Sequence, residues 1–136
     1  MTRQDVVTAL GEDSEPDSVG GPDPSACDQF RPERAPAGTL VMIENGRLTR
    51  ISLIRDSILR TDRGLRLGDT ELDVRATYGA GLEVEPHKYI TGGQAKYLTA
   101  WAVPGRRGVR YETDAQGVVR LIHAGDATIR YVEGCS

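Results

Sequence analysis

The tract Thr70-Glu71-Leu72-Asp73-Val74-Arg75-Ala76-Thr77-Tyr78-Gly79 constrains this chain more than any other, because it spells a short, bounded helix whose grammar recurs at Thr2–Gly11. In each copy a Thr is the N-cap and the Asp three residues later, Asp5 or Asp73, completes a capping-box variant. Hydroxyl and carboxylate together satisfy N–H groups of the first turn and complement the helix dipole. Gly11 and Gly79 supply the left-handed stop. The apolar pairs Val6/Leu10 and Val74/Tyr78 are spaced i, i+4, so each helix has one face to bury. Helices this short are marginal alone, and both need a sheet to lie on.

The rest of the chain supplies strands. Asn45-Gly46 marks a tight hairpin between Thr39–Glu44 and Arg47–Ile54, and Ala26–Phe30 precedes it as a short strand. Further strands are expected at Ser57–Thr61, Leu82–Glu85, His87–Ile90, Lys96–Val103, Gly108–Thr113, Gly117–His123 and Ala127–Glu133. Glu12–Ser25, acidic and rich in Pro, Gly and Ser, reads as a mobile loop. A second echo sits near the end of each half, where Asp56-Ser57-Ile58-Leu59-Arg60 resembles Asp126-Ala127-Thr128-Ile129-Arg130 and Arg50-Ile51 resembles Arg120-Leu121. The expectation is an α+β fold in which two tandem helix-plus-meander units, 1–64 and 65–136, share one antiparallel sheet with the short helices on one face.

Seventeen basic and 20 acidic residues are interspersed to a net charge of −3, which provides no field for nucleic acid or an anionic membrane. No apolar run approaches the roughly 18 residues of a membrane span, so no membrane insertion is expected. With 38% hydrophobic and 5% aromatic residues, the core is thin for 136 residues. A bridge between Cys27 and Cys135 would close a loop of about a hundred residues, credited by chain-entropy models with about 4–5 kcal/mol, and would place the protein in an oxidising compartment. Two separate buried thiols are the alternative.

The repeated helix ending in Gly, followed by strands, resembles the β-lactamase-inhibitory-protein and small outer-membrane lipoprotein (SmpA/OmlA) class of bacterial exported modules. More narrowly, Ala26-Cys27-Asp28, Gly64-Leu65-Arg66-Leu67-Gly68-Asp69-Thr70, Pro86-His87-Lys88-Tyr89 and Tyr131-Val132-Glu133-Gly134-Cys135 resemble a group of uncharacterised secreted or periplasmic bacterial proteins. That resemblance implies a periplasmic or secreted location and a Cys27–Cys135 disulfide. It implies no activity. The lipid-bearing N-terminal Cys of the lipoprotein class has no counterpart here.

Catalytic and metal chemistry find little support. His87 and His123 stand in no metal-type spacing, and no carboxylate pair is marked as acid and base, so neither a cofactor nor a metal is expected. Gly79-Ala80-Gly81 and Thr91-Gly92-Gly93 read as a helix stop and a turn, not phosphate loops. The singled-out set is Arg50, Arg60, Arg120 and Arg130 with Tyr111, because strand alternation puts the arginines opposite Ile51, Leu121 and Ile129. If helices cover the Ile51–Leu121–Ile129 face, the arginines form a platform for a protein partner on the open face. The function expected is a protein-binding module of inhibitor, immunity or envelope-assembly type, acting through that face or through loops such as Asn45-Gly46 or Gly92-Gly93. The alternatives are a small hydrolase using Cys27 or Cys135 with His87 or His123, and a structural accessory domain of a larger polypeptide. Alkylation of the denatured protein separates the first two: two thiols modified only after reduction exclude a free-thiol enzyme, and modification without reductant removes the argument for export.

Overall fold

The computed structural model describes residues 1–16, 21–91 and 93–135. Two α-helices, α1 (Arg3–Leu10) and α2 (Glu71–Tyr78), accompany seven strands: β1 (Cys27–Phe30), β2 (Thr39–Glu44), β3 (Arg47–Leu53), β4 (Glu83–Pro86), β5 (Lys96–Val103), β6 (Arg107–Thr113) and β7 (Val119–Gly125). All seven form one antiparallel sheet in the order β1-β2-β3-β7-β6-β5-β4. Two meanders therefore meet at the β3–β7 ladder, where Ser52 lies opposite His123 and Leu53 opposite Ile122.

Both helices form as their sequences dictate. Thr2 and Thr70 accept the N–H of Asp5 and Asp73, whose carboxylates take the Thr N–H in return. The two are also seated alike. Arg3 N–H donates to the Gly46 carbonyl and Leu48 N–H to Met1; correspondingly Glu71 N–H donates to Gly117 and Val119 N–H to Asp69. Each helix thus hangs from the turn that opens β3 or β7, at a glycine with φ 79° or 77°.

One face of the sheet carries both helices. Val6 packs with Phe30, Val41 and Ile43, and Val74 with Leu53, Leu98, Tyr111, Val119 and Ile122. The two clusters lie on the same side because Val41 pairs with Ile51, which shares a face with Leu53 two residues on. The opposite face is covered by a 3₁₀ turn at Ala127–Arg130, packed on β3, β6 and β7, and by the tail that follows it. A disulfide between Cys27 on edge strand β1 and Cys135 ties that tail down. Among the described residues there is no free cysteine, and no helix is long and apolar enough to cross a membrane.

Three expected strands are absent. Ser57–Thr61 is irregular chain, and so is the segment from His87 to Ile90. Within Ala127–Glu133, Asp126 caps a 3₁₀ turn by accepting the Thr128 N–H, a local bond that outcompetes extension. Part of the expected mobile loop is tied down instead: Ser14 N–H donates to Arg31 and Glu33 N–H to Glu12, while 17–20 lie outside the described residues. Replacing Cys27 and Cys135 together by Ala should lower stability by about 2–5 kcal/mol in urea melts. An unchanged midpoint would show that the tail holds without its staple.

Candidate functional site

The arginine set does not form a platform. Arg50 is only 3% exposed, and Tyr111 is fully buried in the α2 cluster. Tyr111 donates its hydroxyl hydrogen to Thr61 and exchanges a 2.7 Å hydrogen bond with Tyr78. Burial pushes its phenol well above the ordinary range. Arg120 is exposed and ion-paired with Asp114 at 2.8 Å, and Arg130 pairs with Glu83 and lies over Trp101. Arg60 stands elsewhere, in the loop beside α2. The sheet face expected to be open is the one covered by the tail, because Leu121 and Ile129 do not share a face with Ile51.

Beneath the tail lies a buried polar layer. His87 Nδ1 accepts the N–H groups of Tyr89 and Ile90, at 3.1 and 3.2 Å, so it carries no proton. Nε2–H of His87 therefore donates to Glu112 Oε1 at 3.3 Å. His123 donates from Nε2 to the other Glu112 oxygen at 2.6 Å, leaving its Nδ1 to accept the Ser52 hydroxyl at 2.6 Å. Burial holds the His123 ring below its ordinary value near 6.5, in the neutral form. Burial alone would raise Glu112, but the hydrogen bonds it accepts from His123 and His87 outweigh it and hold the carboxyl below its usual 4.5. Arg110 flanks this layer, bonded to Thr99 and Glu85 over the Tyr97 ring, while Arg50 donates to the carbonyls of Thr128 and Tyr131.

The donor order Ser52, His123, Glu112 is that of a hydrolase relay, but Ser52 is 1% exposed and a nucleophile has to meet its substrate. The thiol alternative loses its nucleophile, since both cysteines are spent in the disulfide. No group of His, Cys, Asp or Glu among the described residues is arranged to hold a metal.

Access exists on the helix side. There the central strands form an open groove of about 610 Å³, within the range of ligand sites. Ile51, Leu53, Val109, Ile122, Ala100, Ala102 and Ala124 contribute its apolar floor, and the small alanines leave room where larger side chains would fill the sheet surface. One wall is the chain from Leu59 to Arg63 together with Tyr78 at the end of α2. That wall is built firmly: Thr61 N–H donates to Leu65, Gly64 N–H returns to Thr61, and Arg63 reaches the Thr77 carbonyl while lying over Tyr78. Ile58 is 81% exposed close to this rim. The sequence reading put Arg60 on an arginine platform of the sheet face and missed the groove, whose signal was small residues at Ala100, Ala102 and Ala124.

No family model matches the chain, and no curated protein matches it. Among solved structures, the crystal structure of a DUF4309 family protein (YjgB) from Bacillus subtilis subsp. subtilis str. 168 is similar, with a TM-score of 0.60 and 17% identity. The match covers 92% of this chain and 78% of that one. At that identity the likeness shows the fold alone.

Because native His123 resists the proton that the unfolded ring accepts near 6.5, the stability it contributes is complete above that pH and is lost as pH falls below it. Glu112, also depressed, adds a second loss below its ordinary 4.5. Thermal melts should be flat from about pH 7 to 8 and then fall in two stages. His123→Gln should flatten the upper stage, and an unaltered profile would remove His123 from the account.

Proposed function

We propose that this chain is an exported, non-catalytic binding module of two tandem helix-plus-strand units, which takes an apolar segment of a partner protein into the groove beside α2. The observation that carries the reading is the groove itself: an apolar floor on rigid central strands, left uncovered by either helix, with a wall fixed by its own hydrogen bonds. A prebuilt concave surface of this kind loses little conformational freedom on binding, which favours affinity. Export is supported by the Cys27–Cys135 disulfide, which persists in oxidising compartments. In an inhibitor or immunity role the mechanism would be steric occlusion, with the module masking a surface its partner needs. Of the arginines singled out in the sequence, Arg60 alone lines this groove.

The test places a photo-crosslinking amino acid at Ile58 in the secreted protein, with and without Ala124→Phe to fill the floor. A crosslinked polypeptide that disappears on filling, at unchanged melting temperature, is the expected result. Equal crosslinking by both proteins would remove the groove from the binding surface.

A further inference from the structure

The rim of the groove has a sign. Arg60, Arg63 and Arg107 all line it, against the single carboxylate of Asp62, in a chain whose overall charge is −3. Among the described residues none of the three guanidinium groups forms an ion pair. Arg60 is anchored by one bond to the Gly64 carbonyl at 2.8 Å, and Arg63 by one to Thr77 at 3.4 Å. Arg107, at the start of β6, has no hydrogen-bonding side-chain partner among the described residues. A guanidinium has five N–H donors in a planar fork, so an anchored arginine still presents most of them, and carboxylates match that fork.

Several cations elsewhere are neutralised: Arg3 with Asp28, Arg75 and Lys96 with Glu71, Arg120 with Asp114, Arg130 with Glu83. What sets Arg60, Arg63 and Arg107 apart is that they stand together, against one carboxylate, at the edge of an apolar floor. Resting on the reading above, we propose that the groove recognises an acidic-apolar peptide segment, whose aliphatic or aromatic side chains cover Ile51, Leu53, Val109 and Ala124 and whose Asp or Glu residues meet Arg60, Arg63 and Arg107. A peptide fits better than a free fatty acid. The groove is open along its length, with Ile51 and Leu59 each 37% exposed, and would leave much of an acyl chain in water.

The experiment is selection of a phage-displayed random dodecapeptide library on the wild-type protein, with counter-screens on Ala124→Phe and Arg107→Glu. Arg107→Glu leaves the fold intact on this structure, and a melting curve checks it. The expected result is a family of peptides pairing apolar residues with Asp or Glu, lost on Ala124→Phe, and weakened about five- to tenfold by Arg107→Glu and by raised salt. Groove-dependent peptides that lack acidic residues, or that ignore Arg107→Glu, would overturn the acidic assignment and leave the binding module standing. If no peptide depended on the groove, the module reading would fail with it. Binding of sodium decanoate in its place, sensitive to Arg107→Glu, would overturn the peptide and assign the groove to an anionic amphiphile.

Discussion

The antiparallel pairing of β3 with β7 is the contact on which the rest of this structure depends. Arg50 to Leu53 and Ile122 to Gly125 are its whole length, and through it two meanders distant in sequence become one seven-stranded sheet. The α1 cluster is built from its own half, but the α2 cluster takes Leu53 across this ladder. With it, Leu53 and Ile122 join the α2 cluster on one side, and Ser52 meets His123 on the other. The helix-side groove spans the same junction, drawing Ile51 and Leu53 from one meander and Ala124, Val109 and Ala100 from the other.

The two faces of the sheet solve different problems. On the helix side, apolar side chains exclude water where the helices lie and remain accessible where they do not. On the tail side, Arg50, Arg110, Glu112 and His123 are buried and His87 half-buried, and burying charge is costly unless every charge finds a partner. The tail supplies part of that compensation, since carbonyls of Thr128 and Tyr131 accept from Arg50. Its closing bond, Cys27–Cys135, and the Tyr131 contact with Glu44 keep those carbonyls in place. The staple therefore does more than shorten the unfolded chain: it holds a polar lid over a polar layer.

Much of the architecture was legible locally. The Thr-x-x-Asp caps, the glycine stops and Asn45-Gly46 act within a few residues, and each element they predict is present within a residue or two. The site was not legible in the same way. Arg50 was correctly placed on the strand face opposite Ile51, but an arginine on a strand face reads as solvated unless a distant segment covers it. The expected strand at Ala127–Glu133 concealed that cover, because Asp126 folds the chain into a 3₁₀ turn and lays the tail across β3, β6 and β7. Tyr111, read as an interface aromatic, is core for a different reason: it lies on the helix side, packed with Val74 of α2 and bonded to Tyr78.

The sequence by itself determined the elements: where helices start and stop, which strands pair through tight turns, and which two cysteines were available to staple the chain. These follow from interactions between residues close along the backbone, whose energies do not wait for the fold. Only the tertiary structure decided which face of the sheet is open. That choice depends on a tail more than seventy residues from β3 in sequence, and on whether alanines at 100, 102 and 124 come together over one hollow. Alternation fixes that neighbouring residues point to opposite sides, but it carries no information about what lies on either side.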